Sequence, residues 1–432
     1  MEGMDRGGIK NVELVSKSIK QNIAAIESRQ QIAIREAFAG ISGQHIRCVK
    51  YPYYVFVGRD GEIREEDVQK LHESMNNVQA PDGETIIQII PQCYIVDGEE
   101  TTNPVGSFGN KLEAVFNFVL GDNSAVSRVK RALQKVEIRQ SGLFLNAVAS
   151  AEAVTTEDER NEGVAVVDIG GSTTDVTIFY KNSVRHVGVV SMGGNMINRD
   201  IRSYGILERH VENLKVKYGS AMRDQIKTDM TIRTPGLNSR TFKDISLLNL
   251  ATIIEARLLD IIDKVMEQIK MSGCQDKLGA GVVLTGGVAQ IKDLDLLFKN
   301  YTGIDVPEAV LAEESDERVN NPVFATAVGL LLRGINMGAA GHVARQRPRQ
   351  TPAAAQAEFG GNPYAVAGNA PQRTINSMYG ERNNVEMPQQ EATPGTEPQE
   401  ESAAPKEKKG GIFGRWKRKL DSMFEVIEDN DF

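Results

Sequence analysis

Apolar residues recur along this chain in two rhythms, one helical and one strand-like, and their alternation predicts an α/β fold. Between Asn11 and Arg29, Val12, Val15, Ile19, Ile23 and Ile26 fall three and four residues apart, the spacing of a helix with one apolar face. Ile32 to Phe38 then read as a strand and Gly40 to Gly43 as a turn. From 46 to 123 the pattern predicts a self-contained α+β piece. Strands at Tyr51 to Val57, Ile86 to Val96 and Leu112 to Leu120 flank a short helix from Glu65 to Met75. Ser124 is the expected cap of the next helix, with the stripe Val126, Val129, Leu133 and Val136, and a further helical segment covers Leu143 to Val154. Later a helix starts near Met196, a long amphipathic one covers Leu247 to Met271, and Pro322 to Arg333 form the last apolar helix of the folded body.

Two short apolar runs do not alternate, which suits strands covered on both faces. Val164, Ala165, Val166 and Val167 end on Asp168, followed by Ile169, Gly170, Gly171, Ser172, Thr173 and Thr174; Val176 and Ile178 then resume a strand pattern. The two glycines remove Cβ atoms that would hold a phosphate off the backbone N–H groups, and the hydroxyls add donors. Asp168, at the rim, can hold a water or a hydrated Mg2+. Taken alone, such a turn is equally an ordinary hairpin. The second run, Val282 to Leu284, ends in Thr285, Gly286 and Gly287 before an amphipathic helix carrying Ile291, Leu294 and Leu297. There the glycine pair is expected to lead into a helix N-terminus, which favours an anion or polar ligand. Neither loop is G-x-x-x-x-G-K-[ST] or G-x-G-x-x-G. Two such loops suit a nucleotide held in a cleft between two similar lobes, the plan of the actin, Hsp70 and sugar-kinase superfamily. Glu212 and Lys215, at helical spacing with Glu208, read by themselves as a solvated helix face with a weak ion pair.

Composition sets bounds on this picture. With 432 residues, 41% hydrophobic and 25% charged, the chain can bury more than one core. A net charge of −8 argues against bulk nucleic-acid binding. No apolar run reaches the length of about 18 residues that spans a bilayer, and MEGMDRGGIK lacks the apolar segment of a secretory signal, so a cytoplasmic location is expected. Three distant cysteines fit reduced thiols, and five scattered histidines leave no expectation of a directly bound transition metal. From 338 to 408 the residues turn to Ala, Gln, Pro, Gly, Asn and Glu, which predicts a disordered linker. Beyond it, within 409–427, Ile412, Phe413, Trp416, Leu420, Met423, Phe424 and Ile427 form one apolar stripe on a helical wheel, flanked by Lys417 and Lys419. That is the pattern of a helix lying on anionic lipid. A helix folding back onto the body, or into a partner's groove, would show the same stripe. Glu425, Glu428, Asp429 and Asp431 oppose the lipid attraction of about 1 kcal/mol per basic residue, so the anchor should be weak and need several copies.

Several segments carry a resemblance. These are Gly3-Met4-Asp5-Arg6-Gly7-Gly8-Ile9, Gly40-Ile41-Ser42-Gly43-Gln44-His45-Ile46, Asn103-Pro104-Val105-Gly106, Thr156-Glu157-Asp158-Glu159-Arg160, Ile254-Glu255-Ala256-Arg257 and Thr326-Ala327-Val328-Gly329-Leu330, with both glycine loops. Together they resemble the FtsA family of bacterial actin-like division proteins. The resemblance implies a two-lobed actin-like fold. Residues 1–45, 124–162 and 320–337 would make the first lobe, subdomain 1A, and 46–123 an inserted subdomain, 1C, used in self-association. Residues 163–200 and 278–319 would make the second lobe, 2A, and 201–277 subdomain 2B. It further implies ATP and Mg2+ as cofactors, Gly170, Gly171, Ser172, Thr173 and Thr174 as the second phosphate loop, and Gly286, Gly287 and Val288 along the adenosine. Glu212 and Lys215 then contact the nucleoside, and Asp168 orients water in whatever hydrolysis occurs.

The partners implied are the C-terminal tail of FtsZ, further copies of the chain, later division proteins and anionic lipid. Their place is the cytoplasmic face of the inner membrane at the midcell division site. Arg257 is a candidate for the FtsZ face. The expected role is a tethering scaffold and not an enzyme; the alternative is an actin-superfamily ATPase or small-molecule kinase, which has no evident use for the tail. The family's first phosphate loop, an Asp-x-Gly-Thr turn in an opening hairpin, has no counterpart in this sequence, which puts ATP affinity and lobe closure in question. The acidic end after Phe424 also departs from the family's basic, aromatic pattern.

Overall fold

A computed structural model describes residues 2–345, apart from 59, 239 and 312–320. A two-residue hairpin, β1 (Met4–Asp5) and β2 (Gly8–Ile9), precedes α1 (Val12–Gln30), whose first turn is capped by Asn11 accepting from the Leu14 N–H at 3.1 Å. After β3 (Glu36–Ile41) comes the inserted piece: β4 (Arg47–Phe56), α2 (Glu65–Met75), β5 (Glu84–Val96), β6 (Glu99–Thr101) and β7 (Lys111–Asp122). The chain returns through α3 (Asn123–Gln134), β8 (Arg139–Leu145), α4 (Asn146–Ala153) and α5 (Glu157–Glu162). Three antiparallel strands follow, β9 (Val164–Ile169), β10 (Thr174–Tyr180) and β11 (Ser183–Val190), then α6 (Gly194–Ser203) and α7 (Glu208–Tyr218). The hairpin β12 (Thr231–Pro235) and β13 (Phe242–Ser246) leads into α8 (Leu247–Ser272). Last come β14 (Val282–Thr285), α9 (Leu294–Thr302) and α10 (Ala325–Arg345).

β14 joins β9 in parallel, so the main sheet runs β11-β10-β9-β14. Its two faces explain the unbroken apolar run in β9. Ala165, Val167 and Ile169 pack with Ile254, Leu258, Ile261 and Val265 of α8, while Val164 and Val166 pack with Ala147, Val148 and Ala151 of α4. Each fully buried Val, Leu or Ile among them contributes about 1.5–3 kcal/mol. β3 and β8 form a separate two-stranded parallel sheet, and the inserted sheet runs β4-β7-β5-β6. An apolar cavity of about 240 Å3 lies among α1, α3 and β3, between Ile19, Phe38, Ile41 and Val129.

Several elements depart from the sequence reading. The strand expected at Ile32 to Phe38 lies at Glu36–Ile41, because the chain reverses first at Gln31, in the left-handed region at φ 54°. α3 is capped by Asp122 and not Ser124: the Asp122 carboxylate accepts from the Ser124 and Ala125 N–H groups at 2.7 and 3.1 Å. Leu143 to Leu145 belong to β8, where pairing with β3 overrides their helical spacing. The inserted piece has its own core around Phe116, Phe118, Leu71 and Ile63, yet it is not self-contained, since Ile46, Ile90 and Val119 join the core of α4 and β9. No α-helix follows Gly287 directly. A 3-10 turn, Val288–Gln290, intervenes, and α9 starts only at Leu294. The last apolar helix likewise opens as a 3-10 turn at Pro322–Phe324, then continues to Arg345 through the start of the expected linker. The rest of that linker and the whole lipid-facing stripe, from Ile412 to Ile427, lie outside the described residues.

Candidate functional site

Both glycine loops emerge at one end of the main sheet, because the parallel register places Thr285 beside Asp168. The Gly170–Thr174 turn closes on a hydrogen bond from the Gly170 N–H to the Thr173 carbonyl at 2.9 Å. Its carbonyls are also taken: Gly194 N–H donates to Gly170 O at 3.0 Å and Asn195 N–H to Gly171 O at 2.7 Å. Fixing the carbonyls against the start of α6 leaves the N–H groups of Gly171, Ser172 and Thr173 with no acceptor among the described residues. Unpaired amides in a tight turn form an anion nest. The close approach needs Gly193, where a Cβ would lie 2.5 Å from Gly170 O. Gly286, at φ 89°, faces Asp168 so closely that a Cβ would sit 2.4 Å from its Oδ1.

Asp168 accepts from the Thr326 hydroxyl at 2.9 Å. Burial pushes its carboxyl above the usual range, against hydrogen bonds from Thr326 and Ser150 that lower it. Directly across the β9–β10 pair stands Asp175, which the sequence reading passed over. Burial first, and the neighbouring Asp168 charge second, push Asp175 up to about 7, against a hydrogen bond from Ser42 that pulls it down. That bond, at 2.7 Å, ties the end of β3 to β10. Thr326, Ser42 and Asp175 were all missed, although a carboxylate at the head of the apolar strand TDVTIF is a signal for a buried acid.

On the other side of the turn, α7 presents Glu212 and Lys215. The Lys215 ammonium donates to Glu212 Oε2 at 2.9 Å, and Asn198 Nδ2 donates to the same oxygen at 2.6 Å. Burial acts to raise the Glu212 carboxyl, but the Lys215 and Asn198 hydrogen bonds together hold it below the usual range. Lys215 is only 7% exposed, so these two residues are not simply a solvated face. A Cβ on Gly194 would lie 3.1 Å from Lys215 Nζ and 2.9 Å from Val288 Cγ2, which brings Lys215, Val288 and the Asp168 turn into one neighbourhood. Gly287 faces open space. Arg257 stands apart: its guanidinium bonds Asp200 at 2.6 and 3.1 Å and Asp260 at 2.9 Å. Among the described residues no group of three or more His, Cys, Asp or Glu could hold a metal ion.

Comparison with known proteins extends this geometry. A family model described as cell division protein FtsA matches residues 165–329, and one described as the SHS2 domain inserted in FtsA matches residues 43–120. The cell division protein FtsA of Neisseria meningitidis serogroup B is 31% identical over 334 residues, 76% of this chain and 80% of that protein. This chain belongs to the FtsA family of cell division proteins. The Escherichia coli K12 FtsA is 30% identical over 343 residues, 77% of this chain and 81% of its own length. A solved structure of the PilM–PilN type IV pilus biogenesis complex superposes with a TM-score of 0.52 at 16% identity, covering 77% of this chain and 88% of that one. The fold is actin-like, with the α+β piece of the FtsA family inserted between β3 and α3.

Proposed function

We propose that this FtsA-family chain is a nucleotide-regulated scaffold that ties FtsZ filaments to the cytoplasmic face of the inner membrane and helps assemble the division septum. The observation that carries the nucleotide half is the shared end of β9 and β14, with a turn of unpaired amides on one strand and an open glycine on the other. A polyphosphate suits the amides of Gly171 to Thr173. The nucleoside suits the space bounded by Gly287, Val288, Glu212 and Lys215. Asn198 Oδ1, buried there with no partner among the described residues, is an acceptor for an amino or hydroxyl group. ATP fits this donor set, and in this reading Asp168 would hold a hydrated Mg2+ through water and orient a water towards the terminal phosphate. Bound magnesium would neutralise phosphate charge.

The membrane half rests on sequence: the stripe of Ile412, Phe413, Trp416, Leu420, Met423, Phe424 and Ile427 with Lys417 and Lys419. Self-association multiplies a weak anchor into a stable one. In the test, full-length protein, a version ending at Lys408 and Trp416→Glu are spun with anionic liposomes, with and without a peptide of the FtsZ C-terminal tail. Full-length protein should pellet and carry the peptide down, and the other two should stay in solution. Equal pelleting of all three would remove the tether, and a peptide left behind would remove the FtsZ link.

A further inference from the structure

Met4–Ile9 form the short β1–β2 hairpin ahead of α1. In the fold it presses its tip onto the Asp168 turn. A Cβ on Gly7 would lie 2.9 Å from Gly43 Cα and 3.1 Å from Thr173 Cγ2, so the β1–β2 hairpin, the end of β3 and the turn meet at one point. Gly7 itself has φ +76°, and Arg6 before it has φ +46°, a conformation disfavoured for a residue with a side chain. Arg6 is exposed, and among the described residues its guanidinium has no ion-pair partner.

Charge balance makes that free cation significant. The site holds two carboxylates, Asp168 and Asp175, and its buried ammonium, Lys215, is already paired with Glu212. Beyond a magnesium ion, a polyphosphate on the turn would therefore be stabilised by a further cation close by. The hairpin reaches the turn at Thr173, whereas Lys215 and Val288 lie by Gly194, which bonds the turn at Gly170. If the nucleoside lies beside Lys215 and Val288, a charge brought in at Thr173 meets the phosphate chain beyond it.

We propose that Arg6 is a phosphate-binding residue of this site, its guanidinium pairing with the terminal phosphate of a nucleoside triphosphate held on the Gly170–Thr174 turn. The proposal rests on the nucleotide reading above. It makes the hairpin tip a sensor of whether that phosphate is present, since a diphosphate leaves Arg6 without its partner. The planar guanidinium suits two parallel bonds to phosphate oxygens, which lysine cannot reproduce.

The test is titration of the full-length chain with fluorescent ATP and ADP analogues. Arg6→Gly removes the charge while relieving the positive φ, so its urea midpoint should match or exceed the parent's. ATP affinity should fall about tenfold or more, the loss of a charge-assisted hydrogen bond, while ADP affinity moves by less than about twofold. Arg6→Lys should recover part of the loss, and Lys10→Ala, on the exposed exit of the same hairpin, should change neither. Unchanged ATP affinity in Arg6→Gly, or equal losses for ATP and ADP, would overturn the assignment while leaving the nucleotide site standing. A parent chain that binds neither nucleotide would overturn the site and Arg6 with it.

Discussion

Gly286 and Gly287 are neighbours in sequence, yet the structure gives them opposite tolerances, and substituting each by alanine separates packing from ligand contact. At Gly286 the backbone has φ 89°, where an L side chain costs about 1–2 kcal/mol. The new methyl would also lie 2.4 Å from Asp168 Oδ1 and 2.7 Å from the Ile169 carbonyl. The carboxylate can turn, but the carbonyl belongs to a strand paired on both sides, so overpacking adds roughly 1–3 kcal/mol. Gly286→Ala should therefore lose about 3 kcal/mol. Gly287 has φ −66° and ψ −32°, ordinary helical values, and nothing among the described residues lies within 4 Å of its Cβ position. Gly287→Ala should be neutral or gain up to about 1 kcal/mol through the unfolded chain. Urea unfolding at fixed pH reads both. If the open space at Gly287 is where a nucleoside lies, Gly287→Ala should also weaken ATP binding with no loss of stability. A Gly286→Ala protein as stable as the parent would refute the packing argument. A stable Gly287→Ala with unchanged ATP affinity would refute the placement of the nucleoside.

Other perturbations follow from the same geometry. The Asp175 carboxyl, pushed up to about 7, binds a proton more tightly folded than unfolded. Its contribution to stability is thus complete below the unfolded value of about 3.9 and is lost as pH rises through about 7. Between pH 5 and 8 the parent should lose about 2–3 kcal/mol that Asp175→Asn does not, and parallel urea curves for the two would contradict it. Arg257→Ala leaves Asp200 and Asp260 facing each other without their cation and should cost about 2 kcal/mol, partly restored by adding Asp200→Asn; strictly additive losses would show that the pair is not coupled. Asn117→Ala removes the donor to the Val184 carbonyl and should cost about 1–3 kcal/mol in thermal unfolding; a change under about 0.5 kcal/mol would mean that water replaces it.

The parts legible in sequence were those whose physics is local. Periodicity located α2 and α8 because each has one apolar stripe facing a core, and α1 although only Val12, Val15 and Ile19 of its stripe reach a core while Ile26 is exposed; the run at β9 announced burial on both sides. Gly170, Gly171 and Gly286 were legible as glycine pairs at the ends of apolar strands, and at Gly286 a close approach to Asp168 and Ile169 leaves few alternatives. What escaped depends on partners distant along the chain. β8 is a strand because β3 lies beside it, although its last residues continue the spacing of α4. Ser42 and Thr326 are unremarkable hydroxyls until the fold sets them against Asp175 and Asp168, 133 and 158 residues away. Glu212 and Lys215 look like a surface pair because nothing in their own helix says that α6 will bury the ammonium.

The inserted piece is best understood from the edge it protects. β11 is the outer strand of the main sheet, and its exposed carbonyls would otherwise be a template for pairing with another chain. Asn117, 2% exposed, donates to Val184 O at 3.0 Å, and Gln92, 6% exposed, donates to Arg185 O at 2.9 Å. The Arg185 guanidinium then reaches Glu100 of β6 at 2.9 Å. A buried amide in a sheet face is costly unless its bonds are made, so these two residues specify how the piece docks. β11 pairs with β10 from Thr174 onward, and Thr174 ends the Gly170–Thr174 turn. Ser42, at the entrance to the insertion, bonds the Asp175 next to it. The piece is therefore fastened to the turn at two places, through one hydrogen-bonded strand and one buried hydroxyl.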